Sequence, residues 1–362
     1  MNVLHLINNI KTGGAEKLLV DILENSTANN AYLYVINHSE SEDMMLRALE
    51  KALGVRRFGK QEGDKSIASI LRVVKDIRKY CRDHEIRIIH VHNESTLVYA
   101  FLAKLGLPRI KLVFTIHMVL NDYSYFCRSI VNLSRCEMIA VSKSVENSAR
   151  RYFNPKRIHL IYNGIAVDKY RLPKKPHEKI HLCCVARLVP EIKGQDLLLH
   201  ALIKLKEHFT GFHCYIAGEP ATIDGIRQVQ VYDQLGAIVK QGGLEEYVTF
   251  CGNVSDIPEF LRDMDYLILP SRSEGLGLVL LEAMASGTFA VASNIDGPRE
   301  ILSHGVNGFL FDADNSDALF RALYEAIKGN HQRLLSRARL DAEKYDIKIM
   351  VESYNKLYDA VV

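Results

Sequence analysis

Residues 271–297 read S-R-S-E-G-L-G-L-V-L-L-E-A-M-A-S-G-T-F-A-V-A-S-N-I-D-G, and this run of turn, helix and strand sets the fold class. Just before it, residues 266–269 form a short apolar stretch that Pro270 and Ser271 end, as expected of a buried strand. Glu274-Gly275-Leu276-Gly277 is a glycine-bearing turn, residues 278–285 are strong helix formers, and Gly287 stops that helix. Residues 289–292 then begin a second buried strand. Two apolar strands joined through a helix point to a parallel sheet in an α/β domain. Glu274 falls in the turn and Glu282 within the helix, with seven residues between them. The glycines beside Glu274 expose backbone N–H groups at a helix N-terminus, a site suited to phosphate or sugar oxygens.

Outward from this stretch the alternation continues in both directions. Residues 3–7 read as a strand, and the segment 8–16, N-N-I-K-T-G-G-A-E, places a glycine pair before an amphipathic helix bearing Leu18, Leu19, Ile22 and Leu23. It is not a dinucleotide fingerprint, because G-x-G-x-x-G is absent. A strand over 32–36 and a helix over 44–53 follow. Residues 66–82 read as a helix with Ile67, Ile70, Leu71, Val74 and Ile77 on one side, and Arg72, Lys75, Lys79 and Arg82 largely elsewhere. The basic side faces either solvent or a membrane surface. Strands over 86–91 and 112–116 end at His92-Asn93 and His117, where open α/β sheets present ligand groups. Residues 119–127, with Tyr123, Tyr125 and Phe126, read as a loop that covers a cleft or touches lipid. A strand over 138–141 precedes a helix capped by Ser142 or Ser144. The polar stretch 169–179, with Pro173 and Pro176, reads as a linker. Beyond it come a strand over 180–186, a basic loop to Gly194, a helix from Gln195, strands over 214–217 and 248–251, and a last helix over 347–360.

Composition narrows the function classes. A chain of 362 residues suffices for two domains, each with its own core. At 48% hydrophobic and 25% charged residues it has the balance of a soluble globular protein, and no apolar run approaches membrane-spanning length. Residues 1–10 lack a basic leader and are interrupted by His5, Asn8 and Asn9, so they read as a strand and not a signal peptide. Seven cysteines without C-x-x-C suggest reduced thiols and a cytoplasmic setting, with Cys183 and Cys184 read as strand residues. The fourteen histidines show no H-E-x-x-H spacing, so no metal site is expected. Residues 1–170 hold 25 Lys and Arg against 17 Asp and Glu, whereas the remainder holds 21 against 26. A basic first half suggests an anionic partner such as a membrane surface or a lipid phosphate. Nucleic acid is not expected, since no basic stripe is interleaved with aromatics.

The run S-E-G-L-G-L-V-L-L-E-A-M-A-S-G resembles the E-x7-E signature of the retaining glycosyltransferases of family 4. The resemblance implies a GT-B fold: two facing Rossmann-like domains with a cleft between them and a C-terminal helix crossing back to the first. On that basis residues 1–170 form an acceptor domain, 171–345 a nucleotide-sugar donor domain, and 346–362 the returning helix. It places Arg187 and Lys193, within R-L-V-P-E-I-K-G, on the donor diphosphate with Gly14 and the backbone at Leu278. Glu274, Gly275, Leu276 and Gly277 fall to the donor sugar, and Glu282 to the ribose hydroxyls. Gly13, Gly14 and Glu16 lie on the acceptor side. Glu274 and His117 become the catalytic residues, although the family's T-x-H-D is here Thr115-Ile116-His117-Met118.

The implied activity is retaining transfer of a sugar from a nucleotide-sugar, a UDP-sugar being the commonest donor, to a saccharide acceptor. The acceptor expected is lipid-linked, in bacterial surface polysaccharide synthesis, with peripheral contact to the anionic inner membrane face. No cofactor and no metal requirement follow, because the nucleotide-sugar is a substrate. Two rivals remain: a GT-B sugar-nucleotide epimerase, and a non-catalytic nucleotide- or lipid-binding partner subunit of another glycosyltransferase.

Overall fold

In the computed structural model the described residues are 1–10, 14–26, 29–37, 52–61, 63–120, 125–223 and 226–362. They divide into two compact units, one of Met1–Gly164 with Ile347–Val362 and one of Ile165–Asp346. The division falls N-terminal to the 169–179 stretch, so that segment belongs to the second unit.

The first unit holds β1 (Asn2–Ile7), α1 (Gly14–Asn25), β2 (Asn30–Asn37), β3 (Gly54–Lys60), α2 (Ile67–Asp83), β4 (Ile88–Val91) and α3 (Leu97–Leu105). β5 (Lys111–Ile116), α4 (Tyr125–Ser134), β6 (Glu137–Ala140), α5 (Lys143–Ala149) and β7 (Ile158–Leu160) complete its first segment. Its seven strands form one parallel sheet in the order β3-β2-β1-β4-β5-β6-β7. Leu4, Leu6, Ile89, Val91, Leu112 and Phe114 pack into one core, and Ile7, Leu19, Leu23, Leu33 and Val35 into another. Strands apolar on both sides demand such double covering.

Several local expectations meet the coordinates directly. Ser142 is the cap of α5, its hydroxyl accepting from Val145 N at 3.2 Å. Val73, Val74 and Ile77 form the buried face of α2, but Ile67 and Leu71 are 76% and 58% exposed, against the side assigned to them. At 3.6 residues per turn they lie roughly 100° around the helix from Ile77, beside the basic positions. The loop expected over 119–127 is helical from Tyr125, with Tyr125 and Phe126 exposed and Cys127 half-buried; Tyr123 lies outside the described residues. Most of the helix expected over 44–53 also lies outside them. β3 was not foreseen, because Arg56 and Arg57 interrupt its apolar pattern, as suits an edge strand.

The second unit holds β8 (Ile180–Val185), α6 (Pro190–Lys193), α7 (Gln195–His208), β9 (Phe212–Ala217), a small antiparallel pair β10 (Thr222–Ile223) and β11 (Ile226–Arg227), and α8 (Gln230–Gln241). It continues through β12 (Val248–Gly252), α9 (Ile257–Arg262), β13 (Tyr266–Leu269), α10 (Leu278–Ser286), β14 (Phe289–Ser293), α11 (Asp296–Ile301), β15 (Phe309–Phe311), α12 (Ser316–Lys328) and α13 (Gln332–Ala342). Six of its strands make a parallel sheet ordered β12-β9-β8-β13-β14-β15. The 169–179 stretch is anchored to this unit: the Lys174 ammonium donates to Leu261 O at 2.8 Å, Met264 O at 2.6 Å and Thr288 Oγ1 at 2.6 Å. Burial pushes this amine down to about 8. The last helix, α14 (Ile347–Val361), packs with the first unit, where it meets α1.

Candidate functional site

Each sheet has one point where the chain, having run outward to one edge, returns to continue on the other side. In the second unit that point lies between β8 and β13, and in the first between β1 and β4. Loops leaving the strands there cannot cover one another, which leaves a crevice at their carboxyl ends.

In the second unit the residues 187–194 follow β8 and 270–277 follow β13, and the two loops are tied together. Arg272 N donates to Ile192 O at 2.7 Å, and its guanidinium donates to Pro190 O at 2.6 Å, to both Asp196 carboxylate oxygens at 2.9 Å and to Asp314 at 2.8 Å. Gly194 has φ 67°, and a Cβ there would stand 2.0 Å from Pro270 O, so the loops meet at backbone distance. This contact sets Lys193 against Glu274: Nζ donates to Oε1 at 2.6 Å, and Ser271 Oγ donates to the same oxygen at 2.9 Å. The pair is largely enclosed, with side-chain exposures of 21% and 12%. Among the described residues both of these bonds fall on Oε1, which leaves Oε2 for a ligand. Gly277, at φ 90°, turns the chain into α10, whose first N–H groups belong to Leu278 and its neighbours.

The other expected residues are placed less tightly. Glu282 is 5% exposed within α10, Gly275 and Leu276 are buried, and Leu278 is half-buried. Arg187 is exposed; its carbonyl accepts from Gln195 Nε2 at 2.9 Å, and its guanidinium does not join the Lys193–Glu274 pair. Gly13 lies outside the described residues, Gly14 opens α1, and Glu16 stands in its first turn.

The first unit's crossing point carries a histidine array. His5 lies on β1, His90 on β4 in register with it, His92 just beyond β4, and His117 just beyond β5. His5 Nδ1 and His92 Nε2 are 3.0 Å apart. His90 Nδ1 meets Tyr358 Oη of α14 at 2.6 Å, and its Nε2 meets Thr115 Oγ1 at 2.7 Å. The His92 and His117 rings stack at 6.3 Å. Burial pushes His5 and His117 down to about 4, and His90 and His92 well below their ordinary value, so all four imidazoles are neutral near pH 7. Ligand atoms of His5, His90 and His92 lie within 4.8 Å of one another, but an ion would have to displace the hydroxyls on His90 and part the His5–His92 bond. The donor set therefore fits a hydrogen-bonded chain better than an open metal centre.

Sequence reasoning singled out Glu274, Lys193 and His117 but missed Arg272 and His5 and gave His92 no partner. The available signal was H-x-H closing a strand, since period two puts His90 and His92 on one face.

Residues 168–345 match the family described as glycosyl transferases group 1, and residues 12–169 match glycosyltransferase family 4. A lipopolysaccharide core biosynthesis mannosyltransferase, LpcC of Rhizobium leguminosarum bv. viciae, is 36% identical over 172 residues, 45% of this chain and 48% of its own. An uncharacterised 41.2 kDa protein from the cps region of Klebsiella pneumoniae is 24% identical across 99% of both chains. The chain spans about half the length of the first curated relatives it matches. Among solved structures, Anabaena HepE in complex with UDP and glucose superposes with a TM-score of 0.86 at 22% identity, covering 100% of both chains, which shows the fold. Two parallel Rossmann-like units with GT-B neighbours, and family matches that together run from residue 12 to residue 345, establish that the chain belongs to the group 1 glycosyltransferases, with a family 4 domain in its first half.

Proposed function

We propose that this chain is a retaining glycosyltransferase that moves a sugar from a nucleotide-sugar to a saccharide acceptor. The observation that carries the reading is the Lys193–Glu274 pair at 2.6 Å, enclosed at the crossing point of the second sheet beside the glycine-led start of α10. As the anomeric C–O bond breaks, negative charge grows on the departing diphosphate and positive charge on the sugar ring. Lys193 has three N–H donors, one of them spent on Glu274, so two remain for phosphate oxygens. Arg187 adds a forked donor from the same loop, and the N–H groups at Leu278 add the dipole of α10. Such groups accelerate the step insofar as they hold the leaving phosphate more tightly in the transition state than in the ground state. Glu274 Oε2 accepts a donor-sugar hydroxyl and stabilises the ring's developing charge, and Glu282 accepts the ribose hydroxyls. With no obvious nucleophile beside the sugar position, retention follows from same-face attack assisted by the leaving phosphate.

UDP is the expected nucleotide, in keeping with the UDP named for HepE, while the mannosyltransferase relatives make GDP-mannose the first competitor to test. The acceptor expected is lipid-linked, in bacterial surface polysaccharide synthesis. The exposed face of α2, with Ile67 and Leu71 leading into Lys75, Lys79 and Arg82, supports contact with an anionic cytoplasmic membrane face. No described helix is long and apolar enough to cross a membrane. The direct test is sugar transfer by the purified protein, with the product anomer read by NMR. An α-linked product from an α-linked donor supports the reading, and inversion overturns the retaining mechanism.

A further inference from the structure

Two enclosed imidazole nitrogens at adjacent strand ends have no protein partner: His92 Nδ1 and His117 Nε2. His92 is 2% exposed; the His117 ring is partly accessible, but its Nε2 is not. Buried polar atoms are almost always satisfied, so two neighbouring exceptions mark a place where a ligand group belongs. Both follow the carboxyl ends of parallel strands, β4 and β5, beside the crossing point of the first sheet.

We propose that His92 and His117 together form a subsite for the hydroxyls of a sugar ring, with His5 as the positioning residue behind it. The inference rests on the glycosyl-transfer reading and adds to it a sugar contact at His92 and a role for His5. The shared His5 Nδ1–His92 Nε2 bond fixes which nitrogen of His92 carries its proton. If His5 donates, His92 Nδ1 is a donor; if His92 donates, its Nδ1 is an acceptor. A hydroxyl both donates and accepts and so suits either tautomer. A phosphate oxygen would need donors at both nitrogens, and a cation would need acceptors at both. Stacking of His92 on His5 at 5.2 Å and against His90 at 4.2 Å holds the ring in place.

Substitution at His92 separates its two edges. His92→Asn keeps a polar atom near the Nδ1 position and loses the reach to His5, whereas His92→Gln keeps the reach to His5 and loses the ligand-facing atom. Calorimetric binding of the nucleoside diphosphate alone and of its sugar conjugate is the readout, with turnover alongside. We expect nucleotide binding unchanged in both variants, and sugar-conjugate affinity or kcat/KM falling about 10-fold in His92→Gln, the scale of one lost hydrogen bond in an enclosed site. His92→Asn retains most of the wild-type value. His5→Asn restores what His5→Ala loses in the same sugar-dependent increment, which a purely structural role would not produce. Equal loss in both His92 variants, or no loss in either, overturns the subsite while leaving the transferase reading intact. Activity abolished by a chelator and restored by zinc also overturns it, reassigning the cluster to a metal. Wild-type protein that binds no nucleotide overturns the underlying reading, and the sugar assignment with it.

Discussion

A carboxylate that receives an ammonium and a hydroxyl on one oxygen is held in a single orientation, and Glu274 is held this way by Lys193 and Ser271. Half-buried ion pairs lie between surface pairs worth little and buried pairs whose breaking is costly. Lys193→Ala therefore costs about 1–3 kcal/mol of folding stability by urea denaturation, because Glu274 is left enclosed without its cation. The double variant Lys193→Met with Glu274→Gln recovers most of that stability, yet its nucleotide affinity stays low. A double variant as unstable as Lys193→Ala alone would deny that the pair is the cause. Glu274→Gln in the wild-type background lowers turnover by roughly 10²-fold or more, the range for removing one aimed charge-stabilising group; near-wild-type turnover would remove Glu274 from the chemistry. Glu274 and Lys193 were legible because each sits in a short local pattern. Ser271 and Arg272 were not, because their work depends on two loops about eighty residues apart meeting at Gly194 and Pro270.

At the scale of elements, the strand–turn–helix unit over Tyr266–Ser286 was readable almost to the residue, since buried parallel strands and glycine-bounded helices leave strong local marks. β3 was not, because an edge strand carrying Arg56 and Arg57 has no apolar period. The 169–179 stretch looked like a linker because it is polar and proline-bearing, yet Lys174 is one of its anchors. Lys174→Met leaves two carbonyls and the Thr288 hydroxyl without their donor, and we expect about 1–3 kcal/mol lost in urea unfolding of the second unit. A change within the error of the measurement would return the segment to the status of a tether. Gly194→Ala is more severe: its Cβ would meet Pro270 O in a left-handed backbone, so the loops must part and nucleotide affinity falls along with stability.

For the molecule as a whole, the first unit buries a set of imidazoles that unfolding would release to their ordinary value. His5 and His117 sit near 4 when folded, so between pH 6.5 and 4 the unfolded chain binds the extra protons. Stability is complete above 6.5 and falls as pH drops through that window, by about 1.4 kcal/mol per pH unit for each proton. His90 and His92 steepen the same limb. Urea midpoints at pH 7.5 and 5.5 check this, and a flat profile would mean the array is solvated. The alternation of strand and helix made both units legible in the sequence. The array itself was not, because strand order brings β1 beside β4 across more than eighty residues. The central claim, that the Lys193–Glu274 crossing point binds a nucleotide-sugar, is tested most directly by a thermal-shift screen against UDP, GDP, ADP and their sugar conjugates. A selective rise with one nucleotide, lost in Lys193→Ala and weakened in Arg187→Ala, is the expected result. No rise with any of them in the folded wild-type protein, or an undiminished rise in Lys193→Ala, would contradict it.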